Sequence, residues 1–433
     1  ILFLILLGIL TSLLSVSGAN QAFANWAQEK VKGRRGAKLM AACLVFVTFI
    51  DDYFHSLAVG AIARPVTDKF KVSRAKLAYI LDSTAAPMCV LMPISSWGAY
   101  IITLIAGLLA THSIAGYTPL GAFVTMSAMN FYAIFSILMV FFVAYFSFDI
   151  GSMTRFEHNA MSQEEKSSEQ RGSSEAGVRD LVLPILALII GTVTMMLKTG
   201  GDALVESGNP FTILGAFENT TVGISLVTGG VASIIVLTLC LLMRRHISVG
   251  DYMKAYGSGV KMMSGAILIL FFAWTINGVV SDMQTGKYLS SLVAGNISPA
   301  FLPAILFVLA SAMAFSTGTS WGTFGIMLPI GAAMAMHSDP SLIIPCLSAV
   351  MAGAVCGDHC SPVSDTTILS STGAQCNHMD HVLSQLPYAL LVAAASVIGY
   401  LVVGFTESGL LGFITAGITM LVLIMLFKAK NVE

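Results

Sequence analysis

PAFLPAILFVLASAMAFSTGTSWGTFGIMLPIGAAMAM, residues 299–336, holds no charged side chain. It is far longer than the roughly 20 apolar residues that cross a hydrocarbon layer as one helix. In its middle, Ser-Thr-Gly-Thr-Ser-Trp-Gly (316–322) interrupts the run with hydroxyls and glycines. Non-helical backbone at membrane depth is tolerated only where it lines a cavity or is buried in protein. The stretch therefore reads as a broken transmembrane helix. It has an echo in the first half of the chain, where Pro-Ile-Ser-Ser-Trp-Gly (93–98) interrupts the overlong apolar stretch 77–110.

The rest of the chain fits this reading. Of 433 residues, 56% are hydrophobic and only 10% charged, with 22 basic and 23 acidic side chains and a mean hydropathy of +0.83. A soluble domain carries about 25% charged residues, so this chain cannot cover a water-facing surface. The same numbers exclude a disordered chain, a disulfide scaffold and a nucleic-acid binder, which needs a basic excess. Continuous apolar runs also exclude an outer-membrane barrel, whose strands alternate. Further spans are expected at 1–17, 39–63, 119–148, 181–197, 219–243, 259–281, 341–371, 385–406 and 409–427. The chain opens at Ile1 inside an apolar run, which reads as a cut helix with N-terminal residues missing. The seven cysteines lie mostly in or beside apolar runs and imply no disulfide framework.

The division follows from charge. Residues 149–180, rich in Ser, Glu and Gly, read as a flexible cytoplasmic loop between transmembrane halves 1–148 and 181–433. Loops 64–76, 149–180 and 244–254 are basic, and loops 111–118, 198–218 and 282–298 are not, which sets inside and outside. The basic residues Lys30, Lys32, Arg34 and Arg35 conflict with a simple crossing by 39–63, so either that segment enters and leaves on one side or the incomplete N-terminus distorts the count. With these orientations, 77–110 runs outward and 299–336 inward. The expected fold is an all-α polytopic membrane protein with inverted-topology repeats and broken or re-entrant helices, the Ser-Trp-Gly stretches being non-helical.

Five aspartates lie within apolar segments: Asp51, Asp52, Asp82, Asp358 and Asp365. A carboxylate at a helix centre costs roughly 2.5–3.5 kcal/mol, and such residues mark ion pathways. Hydroxyls accompany them in Asp82-Ser83-Thr84 and in Ser361 to Thr367. Hard cations take carboxylate, hydroxyl and carbonyl oxygens. Asp82, Ser83, Thr84, Asp358, Ser361, Asp365, Thr366 and Thr367 are thus candidate Na⁺ ligands. Asp51, Asp52, His55 and His359 are candidates for proton exchange, since adjacent carboxylates cannot both ionise cheaply in a low dielectric. For His55 a hydrogen-bonded interior histidine is the competing reading. Ser96, Trp97, Gly98, Asn277, Ser320, Trp321 and Gly322 are expected to line a substrate cavity. Cys356, His359, Cys360, Cys376, His378 and His381 contain one C-x₃-C pair with no second unit, which does not make a zinc site. No cofactor is called for, and a cation such as Na⁺ is expected to suit these oxygen ligands.

FIDDYFHSLAVGAIARPVTDKFKVSRAKLAYILDSTAAP (49–87), PISSWGAY (93–100) and GDHCSPVSDTTILSS (357–371) resemble the NhaC family of Na⁺/H⁺ antiporters, in the ion-transporter superfamily. The resemblance extends from about residue 20 to about residue 390. It implies a multi-pass secondary transporter of the bacterial inner membrane, with interrupted helices forming the ion site. A homodimer rests on family analogy alone. The expected partners are the lipid bilayer, Na⁺ and H⁺, with no nucleic acid. The alternative is a Na⁺-coupled carrier of an amino acid or small organic acid. An intramembrane enzyme lacks a nucleophile–base motif.

Overall fold

The computed structural model describes residues 2–49, 51–93, 95–112, 114, 116–162, 177–244, 248–283 and 298–430. Among them there is no strand. The first half comprises α1 (Leu2–Val16), α2 (Ala19–Lys30), α3 (Gly33–Cys43), α4 (Val45–Thr48), α5 (Asp52–Lys69), α6 (Arg74–Cys89), α7 (Ser96–Thr111), α8 (Pro119–Ala128), α9 (Phe131–Phe146) and α10 (Ser152–Ser162). The second comprises α11 (Arg179–Glu206), α12 (Ile213–Glu218), α13 (Val222–Arg244), α14 (Val249–Asp282), α15 (Leu302–Thr317), α16 (Ser320–Ser338), α17 (Ile343–Cys360), α18 (Asp365–Ala374), α19 (His378–Thr406) and α20 (Gly409–Lys430). Among the described residues, six helices are long and apolar enough to cross a membrane, and the pair α8–α9, bent by 51°, makes a seventh. Exposed Ile190, Val205, Leu242 and Met425 give the apolar outer face that lipid requires. The protein is a multi-pass helical membrane protein.

Each overlong stretch is broken. The expected spans 39–63, 77–110, 299–336 and 341–371 separate after Thr48, Cys89, Thr317 and Cys360. Local chemistry explains where. Ser95 accepts a bond from the Gly98 amide at 2.8 Å and so caps α7. Ser364 caps α18 in the same way through the Thr367 amide, at 3.3 Å. Gly318 ends α15 in the left-handed region with φ of 67°, which glycine adopts without a Cβ penalty. The Ser-Trp-Gly stretches are therefore not themselves non-helical. Each opens a helix, and the irregular residues immediately precede it. The expected loop 149–180 likewise begins with a helix, α10, which buries Met153 and Glu157.

Charged contacts fix the direction of the segments. Arg34 pairs with Glu157 at 2.6 Å, and Glu157 also accepts the Ser73 amide at 2.8 Å. Lys76, fully buried, pairs with Asp149. Residues 34, 73–76 and 149–157 thus share one end of the molecule, so α3–α5 enters and leaves from that end as a re-entrant hairpin whose tip is Asp51-Asp52. Arg74 reaches the Gln375 carbonyl at 3.3 Å, placing the end of α18 there too. From that end α19 carries the chain about 43 Å to the opposite one. There Gly404 packs so tightly on Ala300 that a Cβ would collide with its carbonyl oxygen. The second hairpin, α15–α16, starts beside Ala300 and so enters from the opposite end.

The repeats are inverted, as expected, but in a different register. Helix starts at Asp52, Arg74 and Ser96 recur at Ser320, Ile343 and Asp365, in the same order and with nearly the same spacing. Hairpin α3–α5 corresponds to α15–α16, and broken helix α6–α7 to α17–α18. The two Ser-Trp-Gly motifs, at 96–98 and 320–322, open non-equivalent helices: α7 is the second part of a broken helix, whereas α16 is a hairpin arm.

Candidate functional site

The breaks converge. Gly318 lies against the 361–364 break, and a Cβ there would sit 2.5 Å from the Val363 carbonyl oxygen. Ser361 donates to the Phe315 carbonyl at 2.7 Å. Trp97 and Trp321, each second in its helix, meet with ring centroids 5.8 Å apart. Carbonyls freed by the breaks are largely taken: Ser95 donates to Cys89 at 2.6 Å, and His378 contacts the Pro362 carbonyl at 2.7 Å. The supply of free carbonyls for an ion is smaller than a broken helix implies.

The carboxylates are instead the atoms left open. Asp358 accepts the Ser320 hydroxyl at 2.7 Å and the Ser320 amide at 3.1 Å through one oxygen. It thereby caps α16 from another helix, at the positive end of the helix dipole. Its other oxygen is buried with no donor. Asp52 accepts the Trp97 indole N–H at 3.0 Å and likewise keeps one oxygen without a donor. Asp365 accepts the Tyr53 hydroxyl and the Thr366 amide at 2.9 Å. The charges of Asp51 and Asp52, Asp52 and Asp365, and Asp365 and Asp358 act on one another. Among the described residues no Lys or Arg pairs with Asp52, Asp358 or Asp365.

Asp82 stands in a different setting from the one its sequence neighbours imply. It accepts Gln385 at 2.6 Å and contacts His381 Nε2 at 3.1 Å, and its second oxygen has no donor. Its charge also acts on Asp358. Ser83 contacts His359 Nε2 at 2.9 Å, and the Tyr132 hydroxyl contacts Nδ1 at 2.7 Å. Gln385 also donates to the His359 carbonyl at 2.5 Å. Thr84 bonds His55 rather than a carboxylate: His55 holds Thr48 at 2.7 Å and Thr84 at 2.9 Å on its two ring nitrogens. That geometry favours the hydrogen-bonded interior histidine over a relay partner of Asp51 and Asp52.

The remaining candidates fall into place unevenly. Thr366 bonds Ser364 at 2.9 Å, and the Thr367 hydroxyl is buried with no partner. Gly98 presses on the Met92 carbonyl, which a Cβ would strike. Gly322 follows Trp321 in the first turn of α16. The side chains of Ser96 and Asn277 lie outside the described residues. Among those described, no three His, Cys, Asp or Glu side chains form a group that could hold a metal ion.

Sequence reading missed four partners. His381 and Gln385 are one helical turn apart on α19, and a glutamine opening an apolar run is a legible signal. Tyr53 adjoins Asp52. Tyr132 gave no signal, since only folding brings it to His359 across 227 residues.

Comparison with known proteins identifies a family. The family model described as the Na⁺/H⁺ antiporter family matches residues 88–405. A protein of Haemophilus influenzae, described as uncharacterised, is 70% identical over 430 residues, covering 99% of this chain and 83% of that one. A malate-2H⁺/Na⁺-lactate antiporter of Bacillus subtilis is 29% identical over 40% of this chain and 37% of its own. An arginine/ornithine antiporter of Halobacterium salinarum is 29% identical over 35% and 31%. The chain therefore belongs to the Na⁺/H⁺ antiporter family, as a membrane transporter of the antiporter type and not an enzyme.

Proposed function

We propose that the protein exchanges Na⁺ for H⁺ by alternating access across the bacterial inner membrane. One observation carries this: buried carboxylate oxygens of Asp52, Asp82 and Asp358 have no donor where two inverted hairpins and two broken helices meet. A buried charge demands a partner, and a cation or a proton supplies one in turn. Asp358 and Asp365, with Thr366 and Thr367, would hold Na⁺, helped by Ser361. Asp82, with Ser83, supplies the neighbouring carboxylate. Asp51, Asp52 and His359 would pass protons. Competition for shared acidic groups couples the two fluxes without a further device. The test is a proteoliposome holding only this protein. An imposed Na⁺ gradient should move the internal pH with no organic solute present, and a pH that stays constant would reject the exchange.

A second reading, Na⁺-coupled carriage of an amino acid or organic acid, is favoured by the aromatic cluster around Trp97 and Trp321. The relatives named for lactate, malate, arginine and ornithine support it as well. Counterflow of labelled amino and organic acids separates the two readings. Association as a homodimer stays within the proposal and is read from a two-fold mass in detergent.

A further inference from the structure

We propose that the groove between α15 and α19 binds one phospholipid of the leaflet remote from the basic loops, with an acyl chain seated in the groove and an ammonium-bearing headgroup held at Glu407. Such a site is independent of which solute the protein carries.

The two helices leave a gap over one short stretch. Ala304, Ile305, Val308 and Leu309 on α15, with Val397 and Leu401 on α19, line a groove of about 290 Å³. It is bounded at one end where Gly404 packs on Ala300 and the rings of Phe301 and Phe405 cross at 83°, with centroids 5.1 Å apart. Behind it the buried rings of Phe307 and Tyr400 lie 5.6 Å apart. The Tyr400 hydroxyl donates to the Met129 carbonyl at 2.8 Å, which ties this back wall to the bend between α8 and α9. From α17, Gly353 packs so closely that a Cβ would strike the Phe307 carbonyl oxygen. With α15 and α19 both pinned from behind, the groove is held open.

The lining decides the occupant. All six side chains are aliphatic, so they offer no hydrogen bond to a water and no oxygen to Na⁺. Val308 is exposed, and both helices are long and apolar enough to cross the membrane, so the groove opens onto hydrocarbon. A notch bounded by six side chains is too small for a protein partner, since a stable interface buries about 1,200 Å² or more. An acyl chain fits it. Within lipid the gain comes from packing contacts, and a concave seat multiplies them. The headgroup follows from charge. Residues 298–310 and 390–410 contain no Lys or Arg and one acid, Glu407. Glu407 is exposed just beyond the end of α19, where the helix dipole adds negative charge. It lies six residues past Leu401, about 9 Å along the axis and close to the depth of the headgroup layer. An ammonium is attracted there and an anionic head repelled. Because α15 leads into the arm that presents Ser320 to Asp358, a seated lipid braces that hairpin against α19.

The test is native mass spectrometry of the full chain in detergent, titrated with equal amounts of phosphatidylethanolamine and phosphatidylglycerol bearing the same tails. Wild type is expected to retain phosphatidylethanolamine over phosphatidylglycerol by about threefold. Val397→Phe fills the groove and should lower retention of both by about tenfold. Glu407→Gln should level the two headgroups while the tail is still held. Phosphatidylethanolamine with a photoactivatable tail should label peptides of α15 and α19 in wild type and not in Val397→Phe. Wild type that retains neither lipid, or shows no preference for phosphatidylethanolamine, overturns the proposal. So does a Val397→Phe variant that retains lipid as wild type does. A two-fold mass that Val397→Phe abolishes, with no lipid retained by wild type, would give the groove to a second copy instead. Should Val397→Phe fail to fold, the wild-type preference, its loss in Glu407→Gln and the position of the label still decide.

Discussion

Among the single residues, the consequential feature is how each carboxylate is half-satisfied. Asp358 uses one oxygen to cap α16 through Ser320 and leaves the other open. Asp358→Asn keeps the size and one oxygen but removes the charge that an ion would need. Na⁺ affinity is expected to fall at least tenfold, or about 1.4 kcal/mol, while the protein still inserts and purifies. Asp365→Asn should act alike. Wild-type Na⁺ binding in both would remove them from the ion site. These aspartates were legible in the sequence because charge inside an apolar run is conspicuous. Their partners were not read from it: Tyr53 bonds Asp365 and Gln385 bonds Asp82 across some three hundred residues of chain.

Among the helices, the breaks are built from residues that end or start them, and two of these breaks can be tested by stability. Gly318 combines a left-handed backbone with a close approach to Val363. Gly318→Ala should cost about 1–2 kcal/mol for the conformation, with the clash added. A markedly lower thermal midpoint in detergent is the expected reading, and an unchanged midpoint would mean that the α15–α16 break is not held as described. Ser95→Ala removes the cap of α7 and should cost about 1 kcal/mol. Because Ser95 also occupies the Cys89 carbonyl, the cost should exceed that of an exposed cap such as Thr118→Ala. The expectation that Ser-Trp-Gly itself is non-helical failed for a local reason. A capping residue sits before the helix it starts, so a motif at a break marks the first turn after it.

Across the molecule, two apolar bodies meet along α5 and α18, helices that contribute to both. Leu57, Ile62, Ile368 and Leu369 pack with α1, α11, α13 and α14, and Val59, Ala63 and Ala374 with α6, α7, α9, α15, α16, α17 and α19. Asp52 and Asp365 begin these two border helices, so this part of the acidic chain lies where the two bodies meet. The inverted arrangement makes a topological prediction. Single cysteines at Arg34, Arg74 and Gln375 should react with an impermeant thiol reagent from one side, and those at Ala300 and Thr406 from the other. All five reacting from one side would refute it. The coupling makes another. Protonation removes the charge that attracts Na⁺, so apparent Na⁺ affinity should fall as pH falls. Once the acidic site is mostly protonated, one-for-one competition weakens it by about tenfold per pH unit. Calorimetry between pH 5.5 and 8.5 (an experimental range of about three units) should show protons released on Na⁺ binding. An affinity independent of pH would end direct competition.

Short windows of the chain sufficed for the solvent, the secondary structure and the stakes. Apolar length demanded a membrane, hydroxyl and glycine interruptions such as 316–322 demanded broken helices, and five aspartates without local cations demanded a function. In such windows composition and spacing act directly on hydration and backbone hydrogen bonding. The register of the repeat, the direction of 39–63 and the company each aspartate keeps were settled by tertiary packing. The register rests on helix boundaries and not on shared letters, so the tripeptide echo at 96–98 and 320–322 misled where the order and spacing of helix starts hold. The hairpin's direction rests on Arg34 finding Glu157. Asp82 turns to His381 and Gln385 because α19 packs beside α6. Buried polar groups choose partners by distance in space, and distance in space is not written in any one window of the chain.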